Sequence, residues 1–164
     1  MAATLTGIIK MFCSITEILD NTPFASTANK QVIHDQLNLD TTPETEGVPV
    51  TVVAAFNQAL TAGAATIDFT ALLGTNGATV SGSGLKLQYV LVKAKSTNAN
   101  ALTVKNGTSN GYGGWGADFA VTLDASQQFM VTGRDLEPDV DGTHKTWTLA
   151  GTGTQSIDII LVFG

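Results

Sequence analysis

The chain has 164 residues, enough for one domain that buries a full core without staples. Its net charge is −6 and only 13% of its residues are charged, which excludes the basic stripe that a nucleic-acid binder needs. One cysteine (Cys13) and two histidines (His34 and His144) exclude an internal disulfide and the usual zinc spacings.

The opening MAATLTGIIKMFCSITEILD lacks a basic leader, and Lys10 and Glu17 interrupt its apolar run. It therefore reads neither as a signal peptide nor as a membrane span, and synthesis in a cytoplasm is expected. Within it Leu5, Ile8, Phe12, Ile15 and Leu19 recur at helical spacing, yet the β-branched residues favour a strand. An extended arm over residues 1–30 is preferred, with a helix as the alternative. The sandwich proper is expected over 31–164.

Gln31 to Leu39 alternates as a strand does, and Thr41 to Gly47 reads as a polar loop. Pro49 to Leu60 places Val50, Val52, Ala54 and Phe56 on one face, and Thr66 to Leu73 turns Ile67 and Phe69 inward. Gly74 to Gly84 is a loop by composition. Leu85 to Lys95 is apolar on both faces, as a central strand should be, and Ala101 to Lys105 returns from a short connection. Asn106 to Gly116 is a glycine-rich loop holding Tyr112 and Trp115. Strands follow at Asp118 to Asp124 and Gln127 to Thr132, then an acidic loop from Gly133 to Gly142. Strands at Thr146 to Ala150 and Ser156 to Phe163 close the chain. Short strands at roughly 8–12-residue spacing, without alternating helices, predict a single antiparallel β-sandwich of jelly-roll kind.

No constellation points to an enzyme. Glu137, Asp139, Asp141 and Gly142 mimic the start of a calcium loop, but Thr148 stands at the twelfth position where a bidentate Glu belongs. These three carboxylates are a weak calcium candidate, and a solvated loop is the plainer reading. No cofactor is expected. His34 beside Asp35, and His144, lack a nucleophile in a recognisable motif, and Cys13 sits in an apolar run that suits a core or interface thiol. Asp118, Asp124, Asp135 and Glu137 could supply a sugar-cleaving pair only if folding brought two of them together. Lys86, Lys93, Lys95 and Lys105 read as a solvated strand face.

The GYGGWG loop is the most distinctive local feature. Tyr112 and Trp115 would stack on a sugar, anchor a protein contact, or fold back to cap the core. Phe12 and Ile15 in the arm are further interface candidates.

The order of segments carries a resemblance. LTGIIKMFCSITEILD-NTPF is followed by QVIHDQLNLD, and then by ATIDFTALLGTNGATVSGSGLKLQYVLVKAKSTNANALTVKNGTSNGY. The chain ends in GTHKTWTLAGTGTQSIDIILVFG. This pattern resembles small virion structural proteins of tailed bacteriophages, of the capsid-associated or decoration type. The resemblance covers most of the chain. It implies a β-sandwich assembled on or near the capsid as a trimer or other symmetric oligomer. Its partners would be copies of itself and major capsid or other virion proteins, with no nucleic acid and no membrane. It carries no catalytic residues over. The expected location is the virion; the alternative is a glycan- or receptor-binding module of a tail or head fibre.

Overall fold

The computed structural model describes residues 50–164 except 75, 76 and 137, with four short upstream strands at 9–11, 15–18, 31–34 and 39–41. For residues 132–136 it describes the backbone alone. The chain forms two compact units, Gly7–Thr42 and a larger one that contains Pro43–Gly164.

In the smaller unit, β1 (Ile9–Met11) pairs antiparallel with β4 (Leu39–Thr41). Strand β2 (Ile15–Ile18) pairs with β3 (Gln31–His34). The described part of residues 5–20 is thus extended, as β-branched Ile9, Ile15, Thr16 and Ile18 favour. Gln31 to Leu39, expected as one strand, contributes to two.

The larger unit holds β5 (Val52–Ala59), β6 (Ala64–Asp68), β7 (Leu72–Leu73), β8 (Thr79–Val80) and β9 (Leu87–Ala94). It continues with β10 (Leu102–Asn106), β11 (Ala120–Leu123), β12 (Gln128–Leu136), β13 (Thr146–Ala150) and β14 (Ser156–Phe163). Two four-stranded antiparallel sheets result, ordered β12-β9-β14-β5 and β11-β10-β13-β6, beside a small β7-β8 hairpin. The pairs nest: β5 with β14, β6 with β13, β9 with β12, β10 with β11. That nesting is the strand order of a jelly roll. Two sequence expectations change here. Strand β8 lies inside the Gly74–Gly84 loop, and β12 runs on past Gly133 to Leu136, with a register irregularity after Thr132. An irregular ladder does not show the clean alternation from which strands are read.

Alternate residues of each strand face inward. Val90, Val92 and Ala94 of β9 meet Ile157, Ile159, Leu161 and Phe163 of β14, and the other sheet supplies Ile67, Leu102, Val104, Trp147 and Leu149. Trp147, Tyr112, Phe69 and Phe163 are the largest fully buried side chains. Phe69 links them, with ring centroids 5.0 Å from Trp147, 5.2 Å from Tyr112 and 5.6 Å from Phe163. Each such ring removes some 150–250 Å² from water, so this row dominates the core's stability.

The outer faces differ. On the β11-β10-β13-β6 sheet the register aligns Thr122, Thr103, Ala150 and Ala64, then Ala120, Lys105, Thr148 and Thr66. On the other sheet it aligns Gln128, Lys93, Asp158 and Asn57, then Met130, Leu91, Ile160 and Ala55, then Tyr89, Val162 and Val53. Tyr89 and Val162 are only 8% and 7% accessible although they lie outside the core cluster. Strand β9 is therefore apolar on both faces, as its sequence predicts.

Candidate functional site

The loop from Asn106 to Ala117 and the turn around Asp141 meet at one end of the larger unit. They line a shallow concavity of about 590 Å³ with Asn106, Gly107, Gly111, Gly113, Ala117, Pro138 and His144.

The glycine-rich loop is fastened flat against the start of β13. Thr146 Oγ1 donates to the Ser109 carbonyl at 2.6 Å, and the amides of Gly107 and Tyr112 both donate to the Thr146 carbonyl at 3.0 Å. Asn106 Nδ2 closes the far side by donating to the carbonyls of Gly116 (2.7 Å) and Ala117 (2.9 Å). Glycine is required at Gly107, where a Cβ would lie 2.8 Å from Thr146 Cβ and 2.9 Å from its carbonyl oxygen.

This fastening decides the fate of the two loop aromatics. Tyr112 is driven inward and is fully buried against Phe69, so its ring is out of reach of any ligand. That overturns its place as a stacking or interface residue. Trp115 is half-buried and packs on Phe119 (4.9 Å), Trp147 (5.4 Å) and Phe129 (6.1 Å). It caps the core, the plainest of the three expected roles. Phe12 lies outside the described residues. Ile15 lies in β2 opposite His34, and its side chain too is outside the description.

The acidic turn is equally self-contained. Asp141 Oδ1 accepts from the Thr143 amide (2.6 Å), the Thr143 hydroxyl (2.9 Å) and the His144 amide (2.7 Å). These donors, the Thr143 amide foremost, hold the Asp141 carboxyl well below the usual carboxylate range. The same oxygen cannot also serve a cation without giving up those bonds. Asp139 is exposed, with Lys86 Nζ at 3.9 Å, and Glu137 is outside the described residues. No cluster of three metal-ligating side chains occurs among the described residues.

His144 Nδ1 lies 3.0 Å from Thr143 Oγ1 and 3.2 Å from Asp141 Oδ1. A relay needs the carboxylate on one ring nitrogen and the nucleophile on the other. Here both partners crowd the same nitrogen, so the cluster closes a turn. His34 lies in β3, while Cys13 and Asp35 are outside the described residues. Asp118 and Asp124 stand at opposite ends of β11, roughly 15–20 Å apart by strand rise, too far for a paired-carboxylate mechanism. The backbone of Asp135 belongs to β12.

Asn106 and Thr146, which hold the loop in place, escaped the sequence reading. The signal available was the pair Gly107 and Gly111, whose spacing in a polar loop marks close backbone approach. Comparison with protein families, curated proteins and solved structures found no match.

Proposed function

We propose that the chain is a structural subunit of a tailed-phage virion, attached to or decorating the capsid. It works through contacts between subunits and without catalysis. The observation that carries this reading is the half-buried apolar row Met130–Leu91–Ile160–Ala55 on the outer face of the β12-β9-β14-β5 sheet, beside the polar row Gln128–Lys93–Asp158–Asn57. Antiparallel sheets commonly keep one face on the core and one in water, so an apolar row on the outer face suits a subunit whose outside is also a contact surface. Two features agree with it. The jelly-roll strand order is a fold of viral capsid domains as well as of lectins. The polar side chains at the loop end of the sandwich are spent on holding their own turns.

The decisive experiment locates the chain in a purified particle by cryo-electron microscopy, with co-sedimentation on capsids as its solution counterpart. Density on the capsid surface and saturable binding are expected. No binding to capsids, together with a positive glycan array, would move the function to a receptor-binding module of a tail or head fibre.

A further inference from the structure

A sandwich of two open sheets has four edge strands, and each exposes backbone donors and acceptors unless something covers them. Three of the four are closed in part. Strand β5 is bridged at Ala54 by Gly74. On β6, Ala64 exchanges both its backbone bonds with Thr61, and the Asp68 carbonyl accepts the Ala71 amide at 3.0 Å. Strand β11 has four residues, and the amide and carbonyl of Asp124 at its end are both bonded to Gln127.

Strand β12 is different. The Ala94 amide donates to the Gln127 carbonyl at 2.9 Å, which fixes the phase of the ladder to β9. Alternation then turns the backbone groups of Phe129 and Val131 toward β9 and those of Gln128, Met130 and Thr132 away from it. Among the described residues nothing pairs with that outer side. The run Gln128–Thr132 contains no charge.

We infer that this edge is a self-association site, where β12 of a second copy adds antiparallel about a two-fold axis at Met130. Met130 then meets its own counterpart, and Gln128 of one copy lies opposite Thr132 of the other. The choice of a second copy rests on charge. Self-pairing places like residues together, so a charged residue near the axis would repel its twin. The same operation on β11, centred on Val121, would set Asp118 against Asp124. Strand β12 has no such conflict. Joining at this edge also runs the apolar row Met130–Leu91–Ile160–Ala55 across both copies as one eight-stranded surface. The site stands apart from the capsid reading, since a free dimer would use it equally.

The test is the mass of the full-length chain by sedimentation velocity at micromolar concentration. A dimer is expected for the wild type. Met130→Lys and Met130→Glu should each weaken self-association roughly a hundredfold through like-charge contact, with an unchanged near-ultraviolet circular dichroism spectrum. Mixing the two variants should restore the dimer. If either variant fails to fold, Cys13→Ser with Met130→Cys decides the matter. Directly opposed residues lie about 5.5 Å apart, within disulfide range, so oxidation should link two copies faster than in a Cys13→Ser, Ser126→Cys control. A monomeric wild type, a Met130→Lys variant that keeps the dimer, or linking no faster than the control overturns the inference. A dimer that ignores capsids would leave this contact standing and remove the proposed function, and a capsid-binding monomer would do the reverse.

Discussion

The two sheets turn similar faces inward and unlike faces outward. One presents Thr66, Thr103, Thr122 and Thr148, with Thr103 and Thr122 hydroxyls 2.9 Å apart, and the other carries Val53, Tyr89, Leu91, Met130, Ile160 and Val162 beside one polar row of Gln128, Lys93, Asp158 and Asn57. Threonine is a good strand former whose hydroxyl stays content in water, so the first sheet has the ordinary half-solvated pattern. The second spends apolar side chains on both sides. A fold needs only one apolar face per sheet, so the core the two sheets share does not call for these outer apolar rows.

Substitutions can break that contrast. The largest effect belongs to the core the sheets share. Trp147→Ala removes the ring that joins Phe69 to Trp115 and Phe119, and should cost about 3–5 kcal/mol in urea unfolding. Trp115→Ala should follow at about 2–3 kcal/mol, because the ring packs on three aromatic neighbours. A loss of glycan binding with stability intact would contradict that role.

A matched pair then compares the outer faces. Ile160→Asp should lower stability by about 1–3 kcal/mol, while Thr148→Asp, beside Lys105, should stay within about 0.5 kcal/mol. Equal effects would mean that the two faces are not physically different.

The smallest effect is a pH dependence, with a carboxylate on each sheet and one in the loop-end turn. Desolvation works against the Asp68 carboxylate, but hydrogen bonds from Thr70 and the Lys145 ammonium at 3.1 Å outweigh it and lower its pKa. Asp158 is lowered by Lys95 at 2.6 Å and then by Asn57, and Asp141 by its turn amides. Folded pKa values below the unfolded one, near 3.9, give stability that is present above that pH and lost as pH falls through the folded values. Unfolding midpoints should therefore be level from neutral down to about pH 5 and decline below about pH 4. Asp141→Asn should shallow that decline.

Much of the fold was legible in the sequence because strand alternation is local. Phe119, Val121 and Leu123, or Ile157, Ile159, Leu161 and Phe163, announce an inner face without reference to anything distant. The double burial of β9 was equally plain in Leu87 to Val92. The order of strands was not, because β5 finds β14 about a hundred residues away and no short-range pattern encodes that choice. At the loop end the failure was of another kind. Tyr112 stands among glycines, and composition alone reads such a segment as exposed. What turns it inward is the bond of its own amide to the Thr146 carbonyl, a partner named nowhere in the loop. Asp141 shows the reverse. Asp-Gly-Thr is already a turn signature, so the carboxylate's commitment to the Thr143 amide was open to view beside the weaker calcium pattern.

The nested pairing also sets the order of events on the way to the native state. Strand β14 lies between β9 and β5, so an inner strand of one sheet is synthesised after the three strands it joins. Until it emerges, β5 lacks its ladder neighbour in that sheet and β9 has only β12. A chain dominated by such distant pairings closes large loops before any reward arrives, and should fold in milliseconds to seconds, not microseconds. During that interval the apolar residues of two faces wait unpaired in solution, so growth at reduced temperature and low expression rate should raise the yield of soluble protein.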